Sequence, residues 1–69
     1  METTELEKRF TYHAPKGDQA ERYQSLRFQT KLLAGLFESM CPESREKSLA
    51  FTKLEEAIMW ANSAIARRE

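Results

Sequence analysis

The sequence predicts an all-α protein: an antiparallel two-helix hairpin with a short N-terminal helical or extended arm, assembling into a helical homo-oligomer. Two long stretches carry apolar residues at the three- and four-residue spacing typical of amphipathic helices. Only the short run Ser-Met-Cys-Pro separates them, which favours a tight antiparallel turn. Each stretch also carries more apolar residues than one packing stripe needs, which favours association between copies of the chain.

The chain has 69 residues, which is enough for one domain and for a core of marginal stability. Its single cysteine, Cys41, excludes an intrachain disulfide. One cysteine and one histidine leave a structural zinc site two ligands short, so we expect no metal. Regular helix packing and oligomerisation remain as sources of stability. The lone thiol and the absence of a recognisable signal peptide predict a cytoplasmic location.

The charges balance, with 11 basic and 11 acidic residues. A protein that binds duplex DNA through its phosphates is normally basic, so neutrality argues against DNA as a partner. A small anionic ligand held by a few cations remains compatible with this balance. No apolar run approaches the length of a membrane span, so we expect no membrane partner.

The N-terminal third of the chain contains the only segment that is not plainly helical. Residues 1–8 form a tip that is either flexible or a short docking helix. Residues 9–18, RFTYHAPKGD, form an arm or lid, because Pro15 and Gly17 interrupt any helix. The arm is rich in aromatic and cationic side chains, which is unusual for a connector.

The first long helix is predicted over residues 19–40, with Asp18 as its N-cap and Glu21 completing a capping box. The pattern assigns Tyr23 to its packing stripe. The second is predicted over residues 42–67, with Pro42 at its first position and Cys41 or Ser39 as the cap. The arginines at its C-terminal end complement the helix dipole.

Each helix is expected to carry a second apolar surface that a lone hairpin leaves uncovered. These surfaces are formed by Phe28, Leu32 and Leu36 on the first helix, and by Leu49, Met59 and Trp60 on the second. Contiguous exposed apolar surface on this scale marks an interface.

The candidate binding residues each have two interpretations. Tyr12 and His13 suit stacking on a nucleobase and hydrogen bonding to a phosphate or base edge, or they latch the arm onto its own hairpin. Arg27 and Lys31 lie one turn apart and suit phosphate binding, or they belong to a solvated face. Asn62 and its neighbour Trp60 line a cavity, or the tryptophan fills a subunit interface.

Catalytic constellations are absent from the sequence. It contains no His–carboxylate motif, glycine-rich phosphate loop, paired CxxC or nucleophile elbow. We therefore interpret the chain as a binding protein without catalytic residues and without a cofactor, not as an enzyme.

Two blocks of the sequence resemble a known family. The run FTYHAPKGDQAERYQSLR, a following helix, a Cys-Pro hinge and the run SREKSLAFTKLEEAIMWANSAIAR are similar to the phage anti-CBASS proteins of the second type. The resemblance covers about residues 9–67. The chain departs from the pattern at Phe51-Thr52, where a small aliphatic residue is expected before the threonine.

The resemblance implies a homohexamer of helical hairpins that sequesters cyclic di- and trinucleotides in separate pockets without cleaving them. It would act in the cytoplasm of the infected bacterial host and keep the signal from the CBASS effector. The family's stacking tyrosine corresponds to Tyr12, beside His13, and its phosphate-contacting basic residue to Arg27, with Lys31 as the alternative. The trinucleotide pocket is expected to involve Gln29, Thr30, Ala61, Asn62 and Ile65.

Two other functions stay open from the sequence. A nuclease acting on cyclic nucleotides would bind the same ligands but release linear products. A helical adaptor that binds a host protein would share the fold but would not form a stable hexamer.

Overall fold

The computed structural model describes all residues from Met1 to Glu69 and contains three helices and no strand. These are α1 (Thr3–Phe10), α2 (Gln19–Met40) and α3 (Arg45–Arg68). Helices α2 and α3 pack against each other as an antiparallel hairpin, and α1 lies against α3. The predicted all-α class and helical hairpin are therefore confirmed. No helix combines the length and the apolar character needed to span a bilayer.

Helix α2 lacks the predicted capping box. The side chain of Asp18 makes no capping hydrogen bond, and one of its carboxylate oxygens instead accepts from Arg22 Nε at 3.1 Å. Gln19 Oε1 accepts from the backbone N–H of Lys16 at 3.1 Å, which closes the turn before the helix and does not cap it. The preceding Gly17 has φ +55°, a left-handed conformation that side chains disfavour. This turn points the arm back along the hairpin, which a cap at Asp18 alone does not do.

Helix α3 begins at Arg45, three residues after the predicted start at Pro42. Neither Cys41 nor Ser39 caps it. The cap is Ser44, whose Oγ accepts from the backbone N–H of Lys47 at 3.1 Å. A serine hydroxyl in extended backbone is a better N-cap than a cysteine, so the helix begins after Ser44.

A nearly buried lysine fixes the turn between α2 and α3. The side chain of Lys47 is 6 % exposed, and its Nζ donates to the Glu38 carbonyl at 3.1 Å and to Glu43 Oε1 at 2.6 Å. The hydrogen bond that Lys47 donates to the Glu43 carboxylate, followed by that to the Glu38 carboxylate, raises the pKa of Lys47. The ammonium thus satisfies a carbonyl at the end of α2 that has no partner within that helix.

The N-terminal tip is helical, which settles the alternative left open by the sequence. Helix α1 extends to Phe10, so Arg9 and Phe10 belong to this helix and not to the arm. Glu2 caps it by accepting from the backbone N–H of Thr4 at 3.0 Å. The arm that crosses between α1 and α2 is therefore shorter, spanning residues 11–18.

The chain forms a layer about one helix thick, measuring 46 × 29 × 13 Å. Its radius of gyration is 15.3 Å, against about 11 Å for a compact domain of this length. No apolar side chain is fully buried. The surfaces predicted to be left uncovered are exposed, with Phe28 at 59 % and Trp60 at 63 %. One chain thus has two helix stripes in contact but no core enclosed on all sides.

Candidate functional site

An open cleft of about 540 Å³ lies where the arm passes over the end of the hairpin that holds the start of α2 and the end of α3. This volume is within the range of small-molecule sites, about 300–1,000 Å³. Helix α1 and the arm supply one wall, and the two long helices supply the floor. The lining residues are Arg9, Thr11, Tyr12, His13, Ala20, Tyr23, Arg27, Asn62, Ser63, Ala66 and Arg67.

Hydrogen bonds at both ends hold the arm over the cleft. His13 Nε2 donates to the carbonyl of Lys8, 2.7 Å away, at the C-terminal end of α1. At the other end, Lys16 Nζ donates to the backbone oxygen of Glu69 at 2.7 Å. Tyr12 immediately precedes the first anchor and is left 84 % exposed at the cleft rim. The latch interpretation therefore holds for His13 and Lys16 but not for Tyr12.

The last turn of α3 is tied to α2 through Gln19, which is only 4 % exposed. Gln19 Nε2 donates to the Ile65 carbonyl at 3.3 Å and to a Glu69 carboxylate oxygen at 3.1 Å. Arg22 donates to both carboxylate oxygens of Glu69. These hydrogen bonds, from Arg22 first and then Gln19, lower the pKa of Glu69 to about 2, and the same pairing raises the pKa of Arg22. Glu69 is thus fully engaged and its charge is neutralised by Arg22.

Three arginines around the cleft have no carboxylate partner in the chain. Arg9, Arg27 and Arg67 come from three different helices, and all six ion pairs of the chain involve other cations. The Arg9 guanidinium lies 5.8 Å from the centroid of the Phe10 ring and forms no ion pair. In a protein of zero net charge, such a local excess of guanidinium groups favours an anionic ligand.

The remaining polar groups of the cleft suit a flat, hydrogen-bonding ligand. Tyr12 and Tyr23 contribute aromatic rings from the arm and from α2. Asn62, on α3, has an Oδ1 atom that is shielded from solvent and has no hydrogen-bond partner. Ser63 adds a hydroxyl beside it.

The structure brings three of the four residues proposed for the dinucleotide site together. Tyr12, His13 and Arg27 line the same cleft, whereas Lys31 does not. Lys31 lines a separate apolar groove of about 320 Å³ between α2 and α3, and Arg27 lies on the border of both. One turn along α2 is about 5.4 Å, enough to carry Lys31 away from the arm. Neither cation forms an ion pair with Glu38, which pairs with Lys47 instead.

The five residues proposed for a trinucleotide site do not share a cavity in one chain. Asn62 lines the cleft, and Thr30 lines the groove with its Oγ1 donating to the Leu26 carbonyl at 2.6 Å. Gln29, Ala61 and Ile65 line neither.

Among the lining residues that sequence reasoning did not assign to the site are Tyr23, Arg67 and Arg9. Tyr23 follows the spacing of the packing stripe, and Arg67 follows the charge pattern expected at a helix C-terminus, so a structural role was assigned to each. Arg9 was predicted to lie in the arm but belongs to α1, and nothing in the sequence ties it to a residue on α3. The available signal was the pairing of Tyr23 and Arg27, which lie one turn apart on the same face of α2.

The cleft contains neither a metal site nor an acid–base pair. No three His, Cys, Asp or Glu side chains converge as a bound ion would require. His13, the one imidazole, is hydrogen-bonded to a carbonyl and not to a carboxylate. The cleft instead presents guanidinium groups, aromatic rings and the unpaired amide of Asn62, which can bind a ligand through charge, stacking and hydrogen bonding.

Comparison with protein-family models gives one match, to "Acb2/Tad1, hairpin domain", over residues 2–66. No curated protein and no solved structure matches the chain. The family match includes the arm, both long helices and every lining residue of the cleft except Arg67. This chain therefore belongs to the Acb2/Tad1 hairpin-domain family of anti-CBASS cyclic-nucleotide sponges.

Proposed function

We propose that this protein is a viral anti-defence protein that binds and sequesters cyclic di- and trinucleotides, such as 3′,3′-cyclic GMP–AMP, without cleaving them. By lowering the free concentration of the messenger, it blocks activation of the CBASS effector in the cytoplasm of the infected bacterium. Membership of a sponge family supports the ligand class. The cleft under the arm supports the way the ligand is held.

The observation that carries the proposal is the group of three unpaired arginines beside Tyr12. A cyclic dinucleotide presents two phosphodiester anions and two flat bases on one rigid ring. Guanidinium groups bind phosphate oxygens through pairs of parallel hydrogen bonds, and aromatic rings stack on bases. Arg9, Arg27 and Arg67 supply the first interaction and Tyr12 the second.

Each cleft residue is assigned a role from its position. Tyr12 stacks on a base, because its ring is the most exposed aromatic group at the rim. Arg27 contacts a phosphate from the floor, and its location in the cleft favours it over Lys31. His13 uses Nε2 on the Lys8 carbonyl, so its Nδ1 is the ring nitrogen left to hydrogen-bond a base.

We also propose that a second copy of the chain completes the cleft and that the assembly is a homohexamer. A single chain encloses no apolar side chain, and Phe28, Leu32 and Leu36 are each more than half exposed. Burial of these surfaces between copies would supply the stability that one layer of helices lacks. In such an assembly, Gln29, Thr30, Ala61 and Ile65 form the trinucleotide site between subunits.

Sequestration is distinguished from cleavage by the fate of the ligand. The protein is incubated with 3′,3′-cyclic GMP–AMP, separated from free ligand, denatured, and the released nucleotide is analysed by mass. We expect intact cyclic nucleotide in proportion to the protein. A linear product would replace this proposal with a nuclease.

The adaptor alternative is tested on the same preparation. If no cyclic nucleotide is retained at micromolar ligand and sedimentation shows a monomer or plain dimer, the protein is an adaptor and not a sponge. A stable hexamer that retains ligand is the expected result. Because binding and assembly are measured separately, loss of one does not obscure the other.

A further inference from the structure

One polar side chain of the cleft remains unexplained by phosphate binding and stacking. Asn62 is half-buried on α3, and its carbonyl oxygen Oδ1 is shielded from solvent without any hydrogen-bond donor. It is the only side-chain oxygen or nitrogen of the chain in this state. A buried acceptor without a donor loses its hydrogen bonds to water and gains none in return, so the folded chain retains this group at the expense of stability.

A ligand in the cleft is the candidate source of the missing donor. Asn62 shares the cleft with arginines, tyrosines, alanines, a histidine, a threonine and a serine, and none of them hydrogen-bonds to Oδ1. The terminal torsion of asparagine is broad and roughly two-fold, so rotation about it would turn Oδ1 toward the cleft. A ligand that brings an N–H donor to this position would satisfy the atom.

We propose that Asn62 is the specificity-determining residue of the cleft and reads the amino group of an adenine base. An amide presents an acceptor and a donor side by side. Adenine presents the matching pair, its 6-amino N–H next to a ring-nitrogen acceptor, and asparagine pairs with adenine in this way in nucleic-acid recognition.

This inference rests on the proposed function, because it requires a nucleobase in the cleft. It goes further by naming the base and the residue that selects it. Arginines bind any phosphate and a tyrosine ring stacks on any base, so neither kind of side chain selects one base over another. The amide distinguishes base edges, because it presents an acceptor and a donor side by side.

The test compares two ligands and two proteins. The ligands are cyclic di-AMP and an analogue in which both adenines are unsubstituted purines, whose pairing edges carry no N–H donor. The proteins are the full-length wild type and Asn62→Leu, which keeps a branched side chain but removes both hydrogen-bonding groups. Gln24→Leu makes the same amide-to-leucine change at an exposed position of α2 outside the cleft and serves as the control.

We expect the wild type and Gln24→Leu to bind cyclic di-AMP about tenfold more tightly than the purine analogue, a difference of about 1.4 kcal/mol. Asn62→Leu should bind the two ligands equally, and its ligand-free form should melt at a higher temperature because the unpaired acceptor is gone. The melting temperature also shows that the variant folds.

Other outcomes overturn the inference in distinguishable ways. If Asn62→Leu retains the tenfold preference, another group reads the amino function. If the wild type binds both ligands equally, no amino group is read. A variant that sediments as a smaller species indicates that the donor for Asn62 comes from a partner subunit. If the wild type binds neither ligand, the result contradicts the proposed function itself and not only the role of Asn62.

Discussion

The guanidinium of Arg68 donates two hydrogen bonds to the carboxylate of Glu5, at 2.8 and 2.6 Å, and thereby ties α1 to the end of α3. The residue before it, Arg67, lines the cleft. Successive helical residues point about 100° apart, so one arginine can position the N-terminal helix while its neighbour faces the ligand. The position of the arm over the cleft therefore depends on an ion pair outside it.

This ion pair predicts that the docking of α1 depends on pH. The hydrogen bonds from Arg68 lower the pKa of Glu5 to about 2, from an ordinary value of 4.5. Because the pKa in the folded state is depressed, the stabilisation is complete above about pH 4.5 and is lost as the pH falls through about 2. The backbone amide shifts of residues 3–10, followed by NMR from pH 6 to pH 2, should report progressive undocking over this window.

Two variants separate this effect from general acid unfolding. Glu5→Gln should leave α1 undocked already at pH 6, with no further change attributable to this pair. Glu7→Gln alters an acid of the same helix that accepts a hydrogen bond from Thr11 but forms no ion pair, and it should behave as wild type. Equal titration of α1 in the wild type and in Glu5→Gln would contradict the prediction.

Removal of the rim aromatic ring should weaken binding of a cyclic dinucleotide. Stacking on an aromatic side chain contributes about 1–3 kcal/mol per base, so we expect Tyr12→Ala to raise the Kd by about 5- to 150-fold. Tyr12→Phe keeps the ring and should stay within a fewfold of wild type. Isothermal titration with 3′,3′-cyclic GMP–AMP measures both.

Phe10→Ala provides the matched control for Tyr12→Ala. Phe10 is also a largely exposed aromatic residue near the arm, but it does not line the cleft. We expect its loss to leave the Kd unchanged. Equal weakening by both substitutions would mean that the arm as a whole, and not stacking by Tyr12, holds the ligand.

The two cations of α2 should differ in their effect on binding. Arg27 lines the cleft and Lys31 lies in the neighbouring groove. Hydrogen bonds to charged groups contribute about 1.5–3 kcal/mol, so Arg27→Ala should raise the Kd by at least tenfold, whereas Lys31→Ala should have little effect. Titrations at two salt concentrations should show a weaker salt dependence only for Arg27→Ala.

Sedimentation should show that neither of these substitutions changes the oligomer. If Lys31→Ala loses binding while Arg27→Ala retains it, the phosphate contact has been assigned to the wrong residue. This reversal would also place the ligand in the groove between α2 and α3 and not under the arm.

The exposed apolar face of α2 predicts a charge-sensitive assembly. Leu32 is 53 % exposed in the single chain and lies between Phe28 and Leu36 on that face. A carboxylate placed there would be desolvated in an interface, so Leu32→Glu should shift the sedimenting species from a hexamer to smaller forms. Gln24→Glu adds the same charge at an exposed polar position of α2 and should leave the assembly intact. A hexamer that persists in Leu32→Glu would show that this face is not an interface.

Much of the fold could be predicted because helical periodicity and helix breakers act locally. The spacing of apolar residues identifies two long helices, and Pro15 and Gly17 identify the arm. The surplus apolar residues identify the surfaces that remain exposed, such as those containing Leu36 and Trp60. The residue pattern named Tyr12 and Arg27 only as candidates with a structural alternative, and the family resemblance assigned their roles.

The details that could not be predicted depend on competition between neighbouring groups. Asp18 and Cys41 both have the sequence position of a cap, yet Asp18 makes no capping hydrogen bond and Ser44, not Cys41, caps α3. A cap is decided by which side chain reaches the free N–H groups once the chain has turned, and that geometry is set by Gly17 and by the turn that Lys47 holds together.

The sequence by itself therefore determined the helical class, the hairpin, the arm and the expectation of binding without chemistry, since each depends on residues close together in the chain. Only the tertiary structure decided which residues meet. It brought Arg9, Arg27 and Arg67 around one cleft, left Lys31 outside it, and left Asn62 Oδ1 without a donor. These are contacts between residues as many as 58 positions apart, and no local spacing encodes them.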